Sequence, residues 1–173
     1  MQNETETRLD KNLAAACGLY CAACSWFLAT QEDPERLKRL ADQQNWPMEE
    51  SGCYGCRSAK RLLYCGNCKM SACTKKQGID FCSECAEYPC QDLKQFQSAM
   101  PHRIELWSNL ARIKSAGWRQ WLQEIGENYT CPQCQTVNST YDRQCRQCGH
   151  EPSCRFVANH QQAIEQFLKK RKA

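Results

Sequence analysis

Residues 131–148 read CPQCQTVNSTYDRQCRQC. Two C-x-x-C pairs stand here, Cys131 with Cys134 and Cys145 with Cys148, with ten residues between them. Each such turn can point two sulfurs and several backbone N–H groups at one spot. Two turns complete the tetrahedron that a structural metal ion takes. Pro132 stiffens the first turn by fixing its own φ. Between the pairs, Thr136, Val137, Thr140 and Tyr141 carry strand-forming side chains around Asn138 and Ser139. The spacing therefore predicts a short β-hairpin.

This pattern resembles the zinc ribbon family. The resemblance implies a closed four-thiolate site, structural rather than catalytic, because no coordination position stays open. Iron held as in rubredoxin is the alternative, since tetrahedral S₄ sites suit both metals. Rubredoxin-like domains separate their pairs much more widely. Cys154 and His150 lie just beyond the four ligands and read as bystanders. At the expected hairpin tip, Tyr141, Arg143 and Arg146 are the candidate nucleic-acid contacts, Tyr141 by base stacking.

Working outward, Phe156 to Lys172 has helical spacing and ends in Lys169, Lys170, Arg171 and Lys172. Basic residues there complement a helix C-terminus. Upstream, residues 94–127 contain no cysteine and read as a helical spacer. One helix is expected near Asp92 to Ala99. Pro101 opens another, with Ile104, Trp107, Leu110, Ala111 and Ile113 on one face. Gly117 breaks it, and Trp118, Trp121, Leu122 and Ile125 resume the spacing.

Eleven cysteines fall between Cys17 and Cys90. Tyr64–Cys73 (YCGNCKMSAC) and Phe81–Cys90 (FCSECAEYPC) align with a constant offset of 17 at all three cysteines. Each reads as a unit supplying three thiolates. With the pair Cys53 and Cys56, the two units hold eight ligands, enough for two closed sites. The candidates are Cys53, Cys56, Cys65, Cys68, Cys73, Cys82, Cys85 and Cys90, their pairing open. Cys17, Cys21 and Cys24 form a third trio. They can hold zinc with a redistributed or distant ligand, such as Cys154 or a His. Alternatively they carry a [4Fe–4S] cluster, since C-x-x-x-C-x-x-C spacing also marks radical S-adenosylmethionine enzymes. Zinc is the preferred reading. The chain is short for the barrel of such an enzyme, and no glycine-rich βα pattern follows Cys24. Between Cys24 and Cys53, Asp33, Pro34, Leu37, Leu40 and Ala41 predict a capped helix that Pro47 closes.

Sixteen cysteines in 173 residues, with 42% hydrophobic residues, describe a chain that needs cross-links to supplement its core. The choice is disulfides or metals. Met1 to Leu9 is polar and acidic, without the apolar stretch of a secretory signal, and no 18-residue apolar run exists. The expectation is a cytoplasmic protein with reduced thiols that bind metal. Each four-thiolate zinc site carries a charge of about −2. Three such sites bring the formal net charge of +4 to about −2, so the basic balance is no argument for nucleic acid. Lys69, Lys75 and Lys76 read as partners of that negative charge. The three histidines are not in paired ligand spacing, so no His-type catalytic zinc is expected.

Ala16 to Leu93 resembles a prokaryotic cysteine-rich family known as domain of unknown function 3795. The motifs are Cys17-Gly18-Leu19-Tyr20-Cys21-x-x-Cys24, Cys53-x-Gly55-Cys56, Tyr64-Cys65-x-x-Cys68, Cys73 with Lys75 to Gly78, and Phe81-Cys82-x-x-Cys85-x-x-Tyr88-Pro89-Cys90. The resemblance implies metal binding in a bacterial or archaeal cytosol and no established activity. It leaves zinc and iron–sulfur both open.

The expected fold is a small metal-stabilised α+β protein. Its parts are a flexible tail (1–14), a Cys-rich metal domain (15–93), the spacer (94–127), a zinc ribbon of β-hairpins (128–155) and an amphipathic helix (156–173). Three or four Zn²⁺ ions are expected, with a [4Fe–4S] cluster as the alternative at one site. The expected role is a non-enzymatic module that binds a protein or nucleic acid, not a membrane.

Overall fold

The computed structural model describes residues 9–170. Of the expected tail (1–14), residues 1–8 lie outside the described residues, as do the last basic residues, Arg171 and Lys172. From Asp10 onward the chain is folded. The Asp10 carboxylate caps a 3₁₀ turn at Lys11–Leu13, and Leu13 and Ala14 are buried.

Among the described residues, seven α-helices follow: α1 (Ser25–Glu32), α2 (Pro34–Gln44), α3 (Leu63–Gly66), α4 (Lys69–Gln77), α5 (Gln91–Ser98), α6 (Leu106–Tyr129) and α7 (Arg155–Lys170). The expected α2 forms for the expected reason. Asp33 accepts a hydrogen bond from the Arg36 N–H at 2.8 Å, and Pro34 occupies the first turn. It ends at Asn45 in the left-handed conformation. Helix α1 packs on it, and Trp26 stacks on Trp46 with centroids 5.3 Å apart.

Helix α6 is a helical hairpin. At Gly117 φ is 84° and ψ is 157°, values open in practice to glycine alone. Two pairs twelve residues apart prove the reversal. Trp121 Nε1 donates to Asn109 Oδ1 at 3.3 Å, and Arg112 pairs with Glu124. In a straight helix those positions would stand about 18 Å apart. The two arms bring Leu106, Leu110, Trp121 and Leu122 into one buried cluster. Leu13, Phe81 and Leu93 join it from the N-terminal block, and Phe156 and Ile164 from α7.

The expected α+β fold is corrected. Among the described residues the fold is helical and contains no strand. All that is left of the predicted hairpin is an isolated antiparallel bridge, Thr130 with Val137. Side chains have taken the groups a ladder would need. The buried Asn138 amide donates to Thr136 O at 3.0 Å and Ser153 O at 3.3 Å, and its Oδ1 accepts from the Arg146 N–H. Asp142 Oδ2 accepts from the Ser139 N–H at 2.8 Å. The ten residues between the cysteine pairs thus form a compact loop.

That loop is clamped to the N-terminal helices. Arg36 of α2 reaches both carboxylate oxygens of Asp142, and Arg146, between Cys145 and Cys148 at the loop's end, reaches Glu32 of α1.

Candidate metal centres

The four sulfurs of Cys131, Cys134, Cys145 and Cys148 all lie within 4.8 Å of one another. Cys131 and Cys148 stand 3.7 Å apart, Cys134 and Cys145 3.5 Å apart. A tetrahedron with metal–sulfur bonds of about 2.3 Å has edges of about 3.8 Å. The quartet therefore fits one ion with little movement. Two matched turns build it: the Gln135 N–H donates to Cys131 O at 3.0 Å, and the Gly149 N–H to Cys145 O at 2.9 Å.

At Cys145 and Cys134 the surroundings favour thiolate, whereas desolvation and the neighbouring thiols of Cys134, Cys131 and Cys145 push Cys148 up to about 12. Burial works against charge at Cys145. The N–H groups of Cys148 and Gln147 and the Asn138 amide outweigh it, and the thiol is lowered to about 6. Asn138 Nδ2 lies 3.6 Å from Cys145 Sγ. At Cys134, hydrogen bonding by the hydroxyl and N–H of Thr136 lowers the thiol. Asn138 is thus part of the site, a role its turn-like sequence context hides. The only sequence hint is an amide side chain in a run of strand-forming residues, Thr136, Val137 and Thr140.

The expected nucleic-acid contacts have intramolecular partners. Tyr141 stacks on Phe167 and hydrogen-bonds to His102 at 2.7 Å. Arg143 pairs with Glu165. Arg146 Nε donates to Val137 O at 2.8 Å while its other end meets Glu32. Lys69 pairs with Asp92. Cys154 stays outside the quartet, buried in the hydrophobic cluster beside Ser153. His150 contributes its carbonyl, which accepts from the Cys145 N–H at 2.8 Å.

The N-terminal thiols are grouped differently from their order in the chain. All sixteen cysteines are free. The sulfurs of Cys17, Cys21 and Cys24 do not all lie within 4.8 Å of one another. The Cys21 sulfur accepts from the Cys56 N–H at 3.4 Å. The thiols of Cys21, Cys65 and Cys17 lie within electrostatic reach of Cys56. Cys24 lies within electrostatic reach of Cys53 and Cys65. Cys17 lies within reach of Cys68 and Cys82, and Cys82 of Cys73, Cys85, Cys90 and Cys68. Burial, then the neighbouring thiols, push Cys17, Cys24 and Cys82 up to about 12. Among the described residues no N-terminal group closes as tightly as the C-terminal quartet.

The seventeen-residue repeat of spacing is not a repeat of backbone. Cys73 lies inside α4, whereas Cys90 precedes α5. Pro89 bars a helix between Cys85 and Cys90. Accordingly Phe81 is 2% exposed and its counterpart Tyr64 is 54% exposed.

Fold and site together define a helical, cysteine-rich protein with a group of thiols able to hold a metal ion. Residues 13–95, just under half of the chain, match the model of a family described as "Protein of unknown function (DUF3795)". No curated protein and no solved structure matches the chain. No described helix is long and apolar enough to cross a membrane.

Proposed function

We propose that this chain is a non-enzymatic zinc protein whose metal ions hold a rigid surface for a macromolecular partner. The observation that carries the reading is the closed sulfur quartet at Cys131, Cys134, Cys145 and Cys148. Four thiolates fill a tetrahedral ion, so a substrate has no position to take. The ion replaces core: with it, the loop from Cys131 to Cys148 is cross-linked at both ends. The remaining thiols of the N-terminal block hold further zinc ions in the same structural sense, in a reducing, cytoplasmic setting.

A protein partner is favoured over nucleic acid. Tyr141, Arg143 and Arg146 are engaged within the molecule. Large apolar side chains are instead exposed around the N-terminal thiols, at Met48, Tyr54, Leu63 and Tyr64. Leu63 and Tyr64 border an open groove that Trp46, Met70 and Phe96 also line. Clustered exposed apolar side chains mark contact surfaces.

Anaerobic purification with elemental analysis tests the metal. A colourless protein with three or more zinc ions per chain is expected. A brown protein with broad visible absorption and bound iron overturns the zinc reading in favour of an iron–sulfur protein.

A further inference from the structure

The groove bordered by Leu63 and Tyr64 is also lined by a buried cation, Arg103. Only 6% of that residue is exposed, whereas Leu63 and Tyr64 at the rim are 50% and 54% exposed. The guanidinium carbon lies 3.6 Å from the centre of the Phe96 ring. The group donates to Phe96 O at 2.7 Å, Tyr64 Oη at 3.2 Å and His102 Nε2 at 3.2 Å, all neutral acceptors. A guanidinium has five N–H donors, so these three bonds leave two of them open. Cys17 and Cys65 lie within its electrostatic reach, and neither is hydrogen-bonded to it. Among the described residues no carboxylate pairs with it. Burying a charge costs free energy unless an opposite charge meets it.

Tyr64 adds a second donor. Its oxygen accepts from Arg103, so its own proton turns elsewhere, and among the described residues that proton has no acceptor. A guanidinium N–H and a phenol O–H thus stand side by side, with 3.2 Å between their heavy atoms. One carboxylate can accept from both. The charged residues of the lining are Arg103, Lys69 and Asp92, two cations and one anion, and Lys69 is already paired with Asp92. That balance matches a single negative charge and disfavours a doubly charged phosphate. Trp46, Met70 and Phe96 supply an apolar bed beside the two donors. The groove encloses about 530 Å³, within the range of small-ligand sites, so it takes a few side chains and not a folded surface.

We propose that this groove binds a peptide segment of a partner protein in which an acidic side chain stands close to a large apolar one. The carboxylate accepts from Arg103 and Tyr64, and the apolar side chain beds on Trp46, Met70 and Phe96. The acid arrives on a side chain because it has to reach from the exposed rim down to a buried guanidinium. This partner chemistry rests on the reading of the face as a protein contact surface.

Titration of the full, metal-loaded chain with a set of blocked hexapeptides tests it. Each peptide carries one aspartate or glutamate, with a leucine, methionine, phenylalanine or tryptophan one to three positions away. Backbone amide and arginine Nε–H resonances are followed by NMR. The tightest acidic peptide is expected to shift Tyr64, Phe96 and Arg103, and its amide counterpart, asparagine or glutamine, to bind about tenfold more weakly. Tyr64→Phe, at the exposed rim, is expected to narrow that difference severalfold, and Arg103→Gln to erase it. The first variant decides alone if the second does not fold. No shift at these residues with any peptide, or equal binding of acidic and amide peptides, overturns the acidic-segment site and leaves the zinc sites standing. Tighter binding of a phosphoserine version overturns the carboxylate. Equal binding of a peptide whose sole acid is its free C-terminus overturns the side-chain reach. Binding kept after a chelator strips the metal overturns the metal-held surface and leaves the acidic-segment site standing.

Discussion

Asn138 illustrates how much a single side chain decides here. It is fully buried, and its amide serves two carbonyls and a sulfur while its oxygen serves a backbone N–H. No apolar residue can replace those bonds. Asn138→Ala is expected to cost about 2–4 kcal/mol, from several lost hydrogen bonds and the buried groups left unpaired. It is also expected to release the nearby metal at lower chelator concentration. Denaturant melts and a chelator titration check both. Unchanged chelator resistance would show that the sulfur contact is incidental. Gly55 carries a different constraint: at φ +104° an added Cβ would meet Asn12 O at 2.5 Å. The residue in the Cys53-x-Gly55-Cys56 motif therefore lets the 9–14 segment lie against the thiol block.

Among the elements, some were legible from local chemistry and some were not. Helix α2 was legible because Asp33, Pro34 and the leucine spacing act within one turn or two. The sulfur quartet was legible because C-x-x-C spacing fixes a local turn. The hairpin was misread because Thr136, Val137, Thr140 and Tyr141 do favour strands, but Asn138 and Asp142 bind the backbone groups first. The N-terminal grouping was illegible for another reason. Cys24 lies within electrostatic reach of Cys53 and Cys65 from distant turns, and spacing is silent about such neighbours. The arms of α6 were read correctly on either side of Gly117, without the reversal between them. A Cβ at Gly117 would touch nothing within 4 Å, so its demand is purely on the backbone. Gly117→Ala is expected to destabilise the chain by about 1–3 kcal/mol through φ +84° alone. Thermal unfolding checks this. A neutral result would mean that the two arms tolerate another turn geometry.

For the whole molecule, one half-buried histidine ties three distant segments. His102 sits in the 3₁₀ turn Pro101–Arg103, and its ring joins Tyr141 of the loop, which in turn stacks on Phe167 of α7. Arg103 Nε donates to its Nε2, so Nδ1 carries the proton and donates to Tyr141 Oη. Burial, with the nearby Arg103 charge, lowers its pKa from 6.5 to about 3. Above pH 6.5 neither folded nor unfolded chain takes up this proton, and the stabilisation is fully present. As the pH falls from 6.5 toward 3, the unfolded chain alone takes it up, and stability drops. Between pH 7 and pH 5 the loss is expected to be about 1–2 kcal/mol. His102→Gln keeps a donor for Tyr141 and removes that loss. Denaturant unfolding of both proteins at the two pH values checks it. Equal slopes would place the proton elsewhere.

The two guanidinium clamps run in opposite directions. Arg36 of α2 gives its charge to the loop, and the loop gives the charge of Arg146 to α1. A single strap would let the loop pivot or slip by a residue along the helical corner. Two straps, one to α2 and one to α1, hold it at two points and restrain both motions. The loop that carries the sulfur quartet is thereby indexed to one position on the N-terminal helices, like a key in its slot.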